Sequence, residues 1–109
     1  MTNETLETIK NRRSCRAYKP EQITNEELDA VLEAGTYAAS AMGRQSAKIV
    51  VVQDAAARAQ LTRMNAAVMG RDTDPMYGAP TILVVLADAH AANAVPDGSL
   101  VMSNLMLAA

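Results

Sequence analysis

The run Leu100-Val101-Met102-Ser103-Asn104-Leu105-Met106-Leu107-Ala108-Ala109 constrains this chain more than any other feature. It reads as a helix from Gly98 to Ala109, capped by Asp97 and interrupted on its surface only by Ser99, Ser103 and Asn104. A helix without a polar face must be buried all round. A chain of 109 residues fits one domain, with little interior to surround such a helix. The run therefore predicts an interface: a homodimer whose contact includes Leu100 to Leu107, and no stable folded monomer. No Gly, Lys, Arg or Pro closes the helix, so the sequence reads as stopping inside an element.

Composition points the same way. Half the residues are apolar, yet Phe and Trp are absent, and Ala and Met must fill the core. The net charge of −2 does not suit a chain that coats nucleic acid, and the stacking aromatics are missing too. Cys15 is the only cysteine, which precludes an intrachain disulfide and suggests a reducing compartment. Glu4 and Glu7 interrupt an N-terminus that has no apolar run, so it does not read as a signal peptide, and no stretch reaches the ~20 apolar residues of a membrane span.

Periodicity and end signals place the remaining elements. Residues 3–12 read as a short helix with Leu6 and Ile9 on one side. Thr24-Asn25-Glu26-Glu27 is a capping box that opens a second helix, on which Leu28, Val31, Leu32 and Ala38 follow helical spacing. Residues 39–46 read as a loop around Gly43, and residues 47–52 as a strand. Asp54 caps a third helix with Ala57, Leu61, Met64 and Val68 on one face, and Gly70 stops it. After a loop from Arg71 to Pro80, the apolar run Thr81 to Ala87 reads as a strand covered on both faces.

Two segments carry possible chemistry. Arg12, Ser14 and Arg16 are two apart, so an extended backbone projects them to one face. Two guanidinium forks beside a hydroxyl suit a phosphate monoester. The plainer alternative is a solvated basic turn. The second segment is Ala38-Ala39-Ser40-Ala41-Met42-Gly43-Arg44-Gln45-Ser46. Its small side chains and Gly43 let a planar ligand approach the backbone, with Ser40 and Gln45 offering hydrogen bonds. It reads equally as a plain helix-to-strand connection. One Cys and one His are too few for a metal site, and His90 reads as a surface histidine. No acid–base pair or nucleophile stands out. Binding groups without a reacting side chain are what a cofactor-dependent enzyme needs. Cys15 reads as a buried structural thiol on the face opposite the arginines.

These residues carry a resemblance. Ile9-Lys10-Asn11-Arg12-Arg13-Ser14-Cys15-Arg16-Ala17-Tyr18, then Ile23, Glu27, Leu28, Ala34-Gly35 and Ala38-Ala39-Ser40, resemble the start of the nitroreductase family of flavin enzymes. Gly43-Arg44-Gln45 before a strand, Asp74-Pro75-Met76-Tyr77-Gly78-Ala79-Pro80 before another, and Asp97-Gly98-Ser99 opening the apolar helix agree in order. Many relatives have Pro-Ser, then Asn-x-Gln-Pro-Trp, where this chain has Ala39-Ser40, then Gly43-Arg44-Gln45-Ser46-Ala47; Gly43 supplies no Asn side chain.

The resemblance implies an α+β fold, a three-layer α/β sandwich that here stops after its central helix, with residues 1–109 as a single FMN-binding domain. It implies a cytoplasmic homodimer with FMN at the subunit interface and hydride transfer from NADH or NADPH to nitroaromatics, quinones or similar small-molecule acceptors. Arg12, Ser14 and Arg16 would hold the FMN phosphate, with Arg13 on the ribityl chain or phosphate. Ser40, Met42, Gly43 and Gln45 would line the isoalloxazine ring, and no side chain would be catalytic. The alternative is a catalytically inactive truncated remnant that dimerises and binds flavin weakly or not at all.

Overall fold

Asn3 opens the first helix: its side-chain oxygen accepts the Leu6 N–H at 2.9 Å. The computed structural model describes all 109 residues. Its elements are α1 (Glu4–Asn11), α2 (Asn25–Thr36), a 3₁₀ turn (Ala41–Gly43), β1 (Lys48–Val52), α3 (Ala55–Met69), β2 (Ile82–Leu86) and α4 (Ala94–Ala108). The two strands are hydrogen-bonded neighbours in one small sheet. The chain resolves into two compact units: one of Met1–Ser14, Asn25–Ile49 and Val85–Ala109, the other of Cys15–Thr24 and Val50–Val84.

In the first unit α4 packs on α2. Leu28 and Gly35, seven apart, are the buried positions of α2. Leu105 of α4 is 3% exposed. The absence of a side chain at Gly35 lets Leu105 and Ile49 close in: a Cβ there would lie 2.8 Å from each of their terminal methyl carbons. Asn104 Nδ2 donates to Ala34 O at 2.9 Å, which sets the register of the two helices. That bond also gives a polar group on an apolar helix a partner.

One expectation about this last helix is corrected. It begins at Ala94, not Gly98, and Asp97 lies inside its first turn. Pro96 is tolerated there because the first helical N–H groups have no intrahelical acceptor. Within the chain, α4 is covered on one side only. Leu100 (46% exposed), Met102 (37%) and Met106 (49%) face outward, whereas Leu105 is enclosed by the chain's own core. Only one side of α4 meets α2, so the apolar surface divides into a covered face and a bare one.

In the second unit, Asp54 Oδ2 accepts the Ala57 N–H at 2.9 Å and starts α3. Gly70 ends it in the left-handed region at φ 65°, while Arg71 N donates to Ala66 O at 3.2 Å. Side chains tie the following loop down. Asp74 accepts from Met76 N (2.9 Å) and Gly78 N (2.7 Å). Arg58 donates to Gln53 O (3.1 Å) and Ala79 O (3.3 Å). Gln22 Nε2 donates to Pro80 O at 2.9 Å. The expected apolar face of α3 is only partly covered: Ala57 and Leu61 are half-buried, but Met64 and Val68 are exposed because nothing packs over the last turns. Along β2 only Ile82 is fully buried and Leu86 is exposed, since a two-stranded sheet cannot enclose both faces.

Cys15 is exposed, which corrects the expected buried thiol. Every residue from 11 to 24 is exposed, so no core is available to it; its Sγ contacts Ala17 O at 3.1 Å. No helix is long and apolar enough to cross a membrane.

Candidate functional site

The turn after α2 is the most closely specified irregular segment of the first unit. Met42, Gly43 and Gln45 all have left-handed backbone, at φ 54°, 65° and 49°. Only glycine takes that conformation without steric cost, so the two other residues must be held by their surroundings. Ser40 Oγ accepts the Gln45 N–H at 2.9 Å, and Gln45 Nε2 donates to Thr36 O at 3.2 Å, at the end of α2. Asp97 Oδ1 accepts the Ala41 N–H at 3.0 Å.

Beside this turn lies a cavity of about 360 Å³, lined by Leu32, Thr36, Ser40, Gln45, Ile49 and Asp97 among others. Its floor is apolar and its polar groups come from the turn, from α4 and from Thr36 at the end of α2, the usual build of a ligand site. Ser40 and Gln45 are thus brought together at one cavity. Met42 is not part of it: its exposed side chain lines a smaller hollow of about 40 Å³ with Arg44, Asn93 and Asp97. Gly43 lines neither.

The basic segment is built differently. Residues 12–18 have no regular secondary structure and are exposed. Arg12 has φ −55° and ψ 134°, an extended conformation just past the end of α1. Arg13 is turned back: its Nη1 donates to Lys10 O at 2.7 Å and to Arg12 O at 2.9 Å. Guanidinium donors at a helix C-terminus satisfy carbonyls that the helix leaves unpaired. The side chains of Arg12, Ser14 and Arg16 carry no hydrogen bond or ion pair, so their donors are available to an anion.

Asp97 is the site residue that sequence reasoning misread. Its position before Gly98 and an apolar run looks like a helix cap, and nothing local marks it as the partner of Ala41. Thr36 was missed for a related reason: it contributes through its backbone carbonyl, which no sequence pattern advertises. His90 is exposed, as expected of a surface histidine, and its backbone N–H donates to Asp88 Oδ1 at 2.9 Å.

The sequence model of the nitroreductase family matches residues 9–74, a span that holds both segments. The chain belongs to the nitroreductase family. Solved structures in the family share its fold. A nitroreductase with bound FMN from Bacteroides fragilis is 32% identical with a TM-score of 0.85, over 98% of this chain and 64% of that one. A second with bound FMN, from Desulfitobacterium hafniense, is 30% identical with a TM-score of 0.86, over 99% and 65%. A provisionally named NADH dehydrogenase/NAD(P)H nitroreductase from Bacteroides thetaiotaomicron is 30% identical with a TM-score of 0.84, over 100% and 62%. This nitroreductase-family chain therefore spans a little under two thirds of the length of the structures it matches. Among curated proteins none matches its sequence. The α+β fold expected from the sequence is the one observed.

Proposed function

We propose that this chain is an FMN-dependent oxidoreductase that takes hydride from NADH or NADPH and delivers it to nitroaromatic, quinone or similar acceptors. It acts as a single FMN-binding domain, in a cytoplasmic homodimer with the flavin at the subunit interface. The observation that carries this reading is the family match over residues 9–74, supported by neighbours of the same fold with bound FMN. The name of the Bacteroides thetaiotaomicron neighbour supports the choice of reductant.

The residues present fit the cofactor. FMN ends in a dianionic phosphate, and the donors of Arg12, Ser14 and Arg16 are unengaged, with two of the three carrying full charge. Arg13, committed through Nη1 to Lys10 O and Arg12 O, keeps other donors for the ribityl chain or phosphate. Ser40, Met42, Gly43 and Gln45 belong to the turn assigned to the ring edge. The Ser40 hydroxyl accepts from Gln45 N and retains its proton to donate.

When bound, FMN supplies the redox chemistry, taking up and passing on hydride at N5 of its isoalloxazine ring. The protein's share is binding, orientation and electrostatics, and no side chain serves as acid, base or nucleophile. The basic segment anchors the charged end of the cofactor, and the turn sets the position of its ring.

Absorption spectroscopy of the purified protein with added FMN tests the reading. A protein-bound flavin band near one equivalent per chain, bleached by NADH or NADPH under anaerobic conditions, is expected. Absence of bound flavin would instead favour a chain that associates without the cofactor.

A further inference from the structure

Asp97 is the one buried charged side chain of the core, 6% exposed. Within its own helix it has no capping duty: Asn93 holds the N-cap position of α4. Its Oδ1 reaches a backbone N–H 56 residues away, that of Ala41, at 3.0 Å. A carboxylate taken out of water needs such a bond, and the bond is stronger for being charge-assisted.

The residue it grips opens the turn with left-handed backbone at Met42, Gly43 and Gln45. Three bonds between a side chain and the backbone hold that turn. Those of Ser40 to Gln45 N and Gln45 to Thr36 O are local and lie among exposed groups. The Asp97 bond alone ties the turn to a segment remote in sequence, the helix α4, which is fixed on α2 by Leu105 and Asn104. Left-handed residues persist only where neighbours over-determine them, and here the rigid neighbour is α4.

We infer that Asp97 is a positioning residue for the flavin-ring end of the site: it acts through Ala41 to hold Ser40 and Gln45 in place. The inference rests on the proposed function. It separates the ring end, governed by Asp97, from the phosphate end, governed by the arginines.

Riboflavin, which lacks the phosphate, makes that separation measurable. FMN and riboflavin are titrated by fluorescence quenching against wild type, Asp97→Asn, Asp97→Leu and Arg16→Ala, with visible circular dichroism of the bound flavin and far-ultraviolet dichroism as a check on folding. Asp97→Leu should weaken both flavins by the same factor, about tenfold or more, and alter the visible dichroism. Asp97→Asn keeps an oxygen acceptor for Ala41 N and should restore wild-type affinity and dichroism. Arg16→Ala should weaken FMN alone.

Should Asp97→Leu fail to fold, Ala41→Pro removes the same bond from the other side. Ser40 sits at φ −140° and ψ 154°, a conformation that a following proline accepts. Ala41→Pro should reproduce the loss on both flavins. Folded variants at both positions that bind both flavins like wild type would overturn the inference alone. Wild type that binds neither flavin would overturn the functional reading, and the inference with it.

Discussion

Gly35 of α2 and Leu105 of α4 meet so closely that a Cβ on Gly35 would lie 2.8 Å from Leu105 Cδ2. Gly35→Ala should therefore destabilise the protein. Overpacking costs about 1–3 kcal/mol, while the better helix propensity of alanine returns at most ~1 kcal/mol. The atoms in the way are the ends of the Leu105 and Ile49 side chains, so the net loss should be near ~1 kcal/mol. Urea unfolding measures it; a variant as stable as wild type would show that the two side chains step aside without strain.

Gly98 is the contrasting case. A Cβ there would meet Ala87 Cβ and Val85 Cγ1 at 3.8 Å, ordinary contact. Gly98 lies inside α4, so alanine should stabilise it by about 0.5–1 kcal/mol through lower unfolded-state entropy. The same urea titration should move its midpoint upward, and a downward shift would mean that this stretch of α4 is more crowded than its contacts indicate.

Arg13 is occupied at the end of α1, while Arg16 makes no bond. Arg16→Ala should weaken FMN binding about ten- to a hundredfold, the loss of one charge-assisted contact, and Arg13→Ala should weaken it less. Equal, negligible effects of the two changes in a flavin titration would remove the basic segment from the phosphate site.

The bare side of α4 makes the dimer testable. Leu105 is unsuited to the test, because a charge there would break the chain's own core. Met106 is about half exposed and points away from that core. Met106→Glu would bury an unpaired carboxylate in the proposed interface, at a cost of about 3 kcal/mol or more, and so raise the dimer dissociation constant at least roughly a hundredfold. Sedimentation velocity at micromolar concentration should show dimer for wild type and monomer for the variant. A wild type that sediments as a stable, well-folded monomer would refute the interface.

Short-range chemistry made much of this legible in the sequence alone. Asn3 and Asp54 start helices and Gly70 stops one because the groups they satisfy lie within a few residues. The two apolar runs became strands for the same local reason. The ordered set of motifs from Ile9 to Ser99 indicated the family. What only the tertiary structure decided is which side of an element is covered and which distant group a side chain reaches. Periodicity showed that α4 is apolar, but only its packing on α2 determines that Leu105 lies inside while Leu100, Met102 and Met106 lie out. Asp97 has the local look of a cap, yet its partner is 56 residues away in the chain. Cys15 reads as buried on the face opposite the arginines, but it lies in a segment where nothing packs over it. Burial and long-range hydrogen bonds depend on surfaces supplied by remote segments, and a window of neighbouring residues carries no record of them.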